Sequence, residues 1–321
     1  MAIDVGGPYH EVISYMCNEL QSNYLDLLIK TPNNKNDLGE LRDKYMINPN
    51  SNKNIHKQAY EFIGKLMAMS ISSGEALNLN LHPLIWKKIL EIEITFEEYD
   101  SIDHAFFKEI SDLEKEECKN KKEELINISD YHFVIQNSKE SNIELIENGK
   151  ETKVNLENLE KYINLAKSKR ISEIDFQIDY IKKGLYSAID KNILQIFNWN
   201  EFEEMVCGQN KLDIKDFKKN TVYINYNVDD DIIKWFWEWL ENSKEEEKSK
   251  YLQFVSGRRR LPKTGFGLEY KHTITKGGVE PLLPSAATCN FTLKLPNYSS
   301  KNILIEKMNC AIQNCIEMAI S

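Results

Sequence analysis

One thiol in this sequence is placed for exchange chemistry. Cys289 stands in Leu283-Pro284-Ser285-Ala286-Ala287-Thr288-Cys289-Asn290-Phe291-Thr292-Leu293-Lys294-Leu295-Pro296-Asn297-Tyr298. Pro281 and Pro284 stop any helix before it. Phe291, Leu293 and Leu295 alternate with polar residues, the period of a half-buried strand, and Pro296 closes that run. Cys289 is therefore expected where a loop meets a strand, among small residues that leave its sulfur accessible. Thr288 beside it offers a hydroxyl and a backbone amide. A lone cysteine is more often a small buried hydrophobe than a nucleophile, so the surrounding pattern has to decide.

The elements that must position this stretch read as follows. Val12, Ile13, Met16, Leu20 and Tyr24 recur at helical spacing. Tyr45 to Ile47 reads as a strand entering an Asn48-Pro49-Asn50-Ser51 turn, followed by a helix from about His56 to Ser72. In that helix Phe62, Ile63, Leu66, Met67 and Ser70 share a face, Gly64 permits close packing and Gly74 caps the end. Thr95 and Glu98 form a capping box. Tyr131 to Val154 reads as hairpins with a turn at Asn148-Gly149, and Leu156 to Tyr186 as helical. Ile233, Phe236, Trp237 and Leu240 form a broad apolar arc that implies burial. Gly265 to Thr275 reads as a strand pair. Ser299-Ser300 open a last helix with Leu304, Met308, Ala311 and Ile312 inward. Arg258-Arg259-Arg260 reads as a local surface patch.

Leu-Pro-x-x-x-Thr-Cys followed by an alternating strand and Leu-Pro-x-Tyr resembles the active-site signature of the HECT ubiquitin ligases. Further resemblances follow in the same order along the chain: Asp4-Val5-Gly6-Gly7 near the start, Asn48 to Ser51 with Phe62 to Lys65, Asn200 to Gly208, Trp235 to Glu238, and Leu252 to Pro262. One departure is Ala287, where many members carry histidine two residues before the cysteine. The resemblance implies a mixed α+β, bilobal HECT domain. A mostly helical first lobe would span 1–207, with 103–172 as a subdomain that docks a ubiquitin-conjugating enzyme. Gly208, Gln209, Asn210 and Lys211 would form a hinge, and 212–321 an α/β second lobe carrying Cys289. Phe106, Ile110, Leu113 and Tyr162 align with the docking groove. Met318 stands four residues from the end, where the family places a phenylalanine, and is expected to help hold the lobes together.

The implied chemistry is two acyl transfers: a conjugating enzyme's thioester passes ubiquitin to Cys289, and a substrate lysine then takes it. Thioester-for-thioester exchange is nearly balanced and needs proximity more than driving force. The lysine step is harder, because an amine of pKa about 10.4 must lose a proton. His272, the only histidine after the hinge, is the histidine to weigh as base, though the sequence does not identify one. Two other readings stay open: a cysteine hydrolase acting on ubiquitin conjugates, which needs a histidine against the thiol, and an inactive binding module.

The expected partners are ubiquitin, a conjugating enzyme and protein substrates, with neither cofactor nor metal. The 321 residues are 41% hydrophobic and 28% charged, as in soluble globular proteins. A net charge of −9 disfavours nucleic acid. No apolar run is long enough to span a membrane and no secretory signal is visible. The six cysteines lack metal or disulfide spacing, which suits a reducing compartment, cytosolic (cytoplasmic) or nuclear. With no substrate-selecting module in sight, the chain is expected to be the C-terminal part of a longer protein.

Overall fold

The computed structural model describes residues 7–119, 131–262 and 271–318, apart from the side chains of 7–11, 116–119, 289 and 314–318. The mixed α+β expectation holds. The chain divides into two compact units: Glu19–Ala68 with Asn80–Phe202, and Met1–Asn18 with Met69–Leu79 and Glu203–Ser321. The unit that holds Cys289 thus begins its last segment at Glu203, before the expected hinge.

The first of these units is helical, with two small antiparallel ribbons. Leu28–Lys30 pairs with Tyr45–Ile47, and Val134–Gln136 with Asn142–Glu144. The Asn48 turn forms because Asn48 Oδ1 accepts from Asn50 N at 2.9 Å while its amide donates to Asp26 O at 2.7 Å. The helical stretch expected from Leu156 to Tyr186 is two helices, Leu159–Ile171 and Asp175–Tyr186. Where the second of these meets the helix Asn54–Ser73, glycine faces backbone: a Cβ on Gly64 would lie 2.0 Å from Ile181 O. Ile63, Leu66, Met67 and Ser70 are buried, but Phe62 is 45% exposed and does not share their face. The Thr95 capping box is half realised: Glu98 accepts from Thr95 N, and the following turn is a 3-10 helix, Glu97–Ser101.

Arg170, buried at the end of Leu159–Ile171, gathers this unit's polar core. Its Nη1 lies 2.7 Å from Glu173 Oε2, and its Nη2 pairs with Asp103. Tyr99 OH donates to Glu173 Oε1 at 2.8 Å. The Phe106 ring lies 4.9 Å from the guanidinium carbon. Two carboxylates, a stacked ring and the Ser138 hydroxyl compensate the desolvated cation.

The second unit is built on a four-stranded sheet in the order Val222–Ile224, Thr273–Val279, Thr292–Asn297, Ser285–Ala287. The first three strands are parallel and the last is antiparallel. Helices Asp231–Asn242, Glu245–Ser256 and Lys301–Met318 pack with it. Phe236, Trp237, Leu240, Leu293, Leu295 and Leu304 are all fully or nearly fully buried, as so broad an apolar arc requires. Gly257 ends its helix at φ +73°, and Ser300 Oγ accepts from Ile303 N at the start of the last helix. Ser243 does not cap Glu245–Ser256; its hydroxyl bonds Trp239 O, and Glu247 reaches back to Lys244 N instead. Residues 263–270, part of the expected strand pair, lie outside the described residues.

Candidate active site

The Cys289 stretch is a hairpin. The run expected to be a loop contains the strand Ser285–Ala287, which pairs with Thr292–Lys294 in the register Ser285↔Lys294, Ala286↔Leu293, Ala287↔Thr292. Thr288–Asn290 forms a 3-10 turn between the strands, and Cys289 is its middle residue. Thr288 and Asn290 are exposed on either side of it. The Cys289 side chain itself lies outside the described residues.

Phe291 fixes the end of that turn. Its backbone is left-handed, φ 49° and ψ 46°, a conformation that costs a residue with a Cβ about 1 kcal/mol. Its N–H donates to Thr288 O at 3.3 Å, and its carbonyl accepts from Thr273 N at 3.0 Å. Its ring is buried against Phe217 and His272. The helix Glu245–Ser256 packs against both the turn and Ser285–Ala287. The turn therefore holds Cys289 between two exposed residues, Thr288 and Asn290, while the residue two places on, Phe291, is anchored in the core.

His272 is not a general base here. It is 2% exposed, with Nδ1 2.9 Å from Thr221 Oγ1 and Nε2 2.7 Å from Tyr251 OH. Burial drives its pKa down to about 3, so the ring is neutral at physiological pH and both nitrogens are engaged. Two other thiols are chemically quiet. Burial pushes Cys17 and Cys207 up to about 12, which leaves almost no thiolate at neutral pH. Cys310 is partly buried on the last helix. No cluster of metal-ligating side chains occurs among the described residues.

The family description "HECT-domain (ubiquitin-transferase)" matches residues 14–321. The chain belongs to the HECT family. The chain is 31% identical over 317 residues to mouse "E3 ubiquitin-protein ligase HERC2", covering 97% of this chain and 6% of that protein. It is 31% identical over 278 residues to "E3 ubiquitin-protein ligase pub3" of Schizosaccharomyces pombe, 84% of this chain and 35% of that protein. With "E3 ubiquitin-protein ligase UPL2" of Arabidopsis thaliana it shares 28% over 286 residues, 84% of this chain and 8% of that protein. The chain thus spans a small part of the relatives it matches.

The remaining site residues expected of a HECT domain fare differently. Ile110, Leu113 and Tyr162 are 0–3% exposed, and Tyr162 packs edge-on against Tyr131 and Phe133. A side chain enclosed in its own core has no surface left for a partner, so these three are packing residues. Phe106 is half-buried and turned toward Arg170, Phe96 and Tyr99. Gly208 adopts φ +83°, and a Cβ there would lie 2.5 Å from Leu261 O. Gln209 N donates to that same carbonyl at 2.8 Å, with Asn210 and Lys211 following. Met318 ends the last helix, with its side chain outside the described residues.

Sequence reasoning misses the partners of the basic triplet. Arg258 Nη2 lies 2.6 Å from Glu75 Oε2 and Arg260 Nη1 3.0 Å from Glu203 Oε1, both carboxylates being buried. Arg259 Nε meets Gln253. The surface-patch reading is corrected for Arg258 and Arg260, which are half-buried and paired with buried carboxylates. The one available hint is an acidic residue at an otherwise apolar position, such as Glu203 between Phe202 and Val206.

Proposed function

We propose that this HECT domain accepts ubiquitin from a conjugating enzyme as a thioester on Cys289 and transfers it to lysine on a protein substrate. The observation that carries the reading is the turn: Thr288-Cys289 stands at the tip of a hairpin, with exposed neighbours, in a chain of this family. A large acyl donor can approach such a tip, where a groove would exclude it. Cys289 is the nucleophile, and Thr288 lies beside the carbonyl under attack. Charging needs little base, since a thiol of ordinary pKa, about 8.5, already supplies a few per cent thiolate at neutral pH. For the lysine step, removal of the ammonium proton falls to a carboxylate or to desolvation, because His272 is engaged.

Ubiquitin, a conjugating enzyme and protein substrates are the partners in this reading, and a reducing cytosolic or nuclear setting suits a working thiol. In this reading reorientation about Gly208, Gln209, Asn210 and Lys211 brings Cys289 to the charged donor, and it requires the Arg258–Glu75 and Arg260–Glu203 pairs, which bridge the expected lobes 1–207 and 212–321, to break. Met318 contributes an apolar anchor that favours transfer to lysine over charging. The seclusion of His272 also speaks against a hydrolase built on that histidine.

The test is a gel with and without reductant after incubation with ubiquitin, activating enzyme, a panel of conjugating enzymes and ATP. A reductant-sensitive adduct is expected. Cleavage of ubiquitin chains without an adduct would favour the hydrolase, and neither result across the panel would favour an inactive module.

A further inference from the structure

His272 stands just ahead of the strand that neighbours the Cys289 hairpin, and its hydrogen bonds have a fixed direction. Thr221 Oγ1 donates its proton to Phe217 O at 2.8 Å. Its oxygen can then only accept from His272 Nδ1, so the proton of the neutral ring sits on Nδ1. Nε2 is left as an acceptor, and Tyr251 OH donates to it. The result is a directional chain, Tyr251 to His272 to Thr221 to Phe217 O, in which every donor is used and each end is fixed in a different element. Tyr251 belongs to the helix Glu245–Ser256, Thr221 precedes the strand Val222–Ile224, and His272 precedes Thr273–Val279.

That chain fixes the plane of the imidazole, and the imidazole packs at a tilt against Phe291. The ring centroids of His272 and Phe291 are 5.1 Å apart. Phe217 completes the aromatic cluster, 4.6 Å from His272 and 5.9 Å from Phe291. Phe291 is the residue whose left-handed step closes the turn through its bond to Thr288 O. A side chain held on one rotamer can keep a backbone in a sparsely populated region; a mobile one cannot.

We propose that His272 is a positioning residue for the Cys289 turn: held between Tyr251 and Thr221, its ring anchors Phe291 and so sets the backbone that presents the thiol. The catalytic consequence rests on the reading of Cys289 as the acceptor of ubiquitin. The geometry of the turn does not.

The experiment compares His272→Ala with His272→Phe, which restores a ring but not the hydrogen bonds. Two quantities are read: the kcat and KM for charging Cys289 from a loaded conjugating enzyme, and the exchange rate of the Phe291 amide hydrogen. In His272→Ala, kcat is expected to fall by at least ~10-fold with KM unchanged, since misplacement by about an ångström has costs of that order. Phe291 exchange should rise in parallel. His272→Phe should recover part of both, because it returns a ring against Phe291 without the two bonds that hold the ring's plane. If His272→Ala does not fold, Phe291→Leu tests the same contact by removing the aromatic face from the other side, with the same losses expected. Native charging and native exchange in these variants overturn the proposal, as do losses in His272→Phe as large as those in His272→Ala. If the native protein fails to charge at all, the functional reading falls, and the exchange rates alone decide whether His272 holds the turn.

Discussion

Arg260 and Glu203 form an ion pair at 3.0 Å in which the Glu203 side chain is 4% and the Arg260 side chain 18% exposed. Removing one partner of such a pair leaves an uncompensated charge in a low-dielectric setting, which costs about 3 kcal/mol or more. Arg260→Ala is therefore expected to destabilise its unit by that order in urea unfolding. Adding Glu203→Gln should recover part of the loss, because the stranded charge is gone. A loss below about 0.5 kcal/mol, the scale of exposed pairs, would mean that water reaches the pair freely.

Gly64 and Gly184 mark a backbone-to-backbone helix contact. A Cβ on Gly184 would lie 1.9 Å from Glu61 O, as one on Gly64 would lie 2.0 Å from Ile181 O. Neither neighbour is a flexible side-chain end, so the helices must part. Gly64→Ala and Gly184→Ala should each cost about 3 kcal/mol, the upper range for overpacking, despite alanine's better helix propensity. A thermal melt of either variant at or above the native midpoint would show that the helices separate at little cost.

The buried state of His272 gives stability a pH dependence with a definite sign. Its folded pKa, about 3, lies below the usual 6.5, so as pH falls below 6.5 the unfolded chain takes up a proton that the folded chain refuses. Stability from this group is intact above pH 6.5 and is lost progressively toward pH 3. At about pH 5 the loss amounts to about 2 kcal/mol relative to about pH 7.5. His82, depressed to about 4 by burial, adds a loss of the same sign. Comparing native and His272→Phe isolates His272: the native chain should lose about 2 kcal/mol more between these two pH values. Parallel losses would mean that His272 protonates freely in the fold.

Ile110, Leu113 and Tyr162 carry an expectation opposite to that of a docking surface. Ile110→Ala and Tyr162→Ala should each cost about 2–5 kcal/mol, as large-to-small core changes do. Any slowing of Cys289 charging should follow the unfolded fraction. Full thermal stability with impaired charging would return these residues to the docking role.

Much of this is legible in the sequence because the signals are local. The alternation of Phe291, Leu293 and Leu295, the αL glycine at Gly257 and the apolar arc around Trp237 each follow from period or backbone geometry, and each is present. What sequence reasoning misses depends on contacts distant in the chain. A helical stripe shows which residues turn inward but not whether the surface they meet is this chain or another, so the stripe alone lets Ile110 and Tyr162 pass for docking residues. The Ser285–Ala287 strand is hidden because three small residues carry no alternation. The engagement of His272 is not legible because nothing nearby announces Thr221 or Tyr251, 51 and 21 residues away, as its partners.

Whether Cys289 carries the thioester is measured most directly by intact mass after a short exposure to loaded conjugating enzyme, followed by peptide mapping. The native chain, Cys289→Ala and Cys289→Ser are compared. Native protein is expected to gain one ubiquitin, lost on reduction and mapped to Cys289. Cys289→Ala should gain none, and Cys289→Ser a reductant-resistant ester. A reducible ubiquitin adduct that persists in folded Cys289→Ala would contradict the assignment.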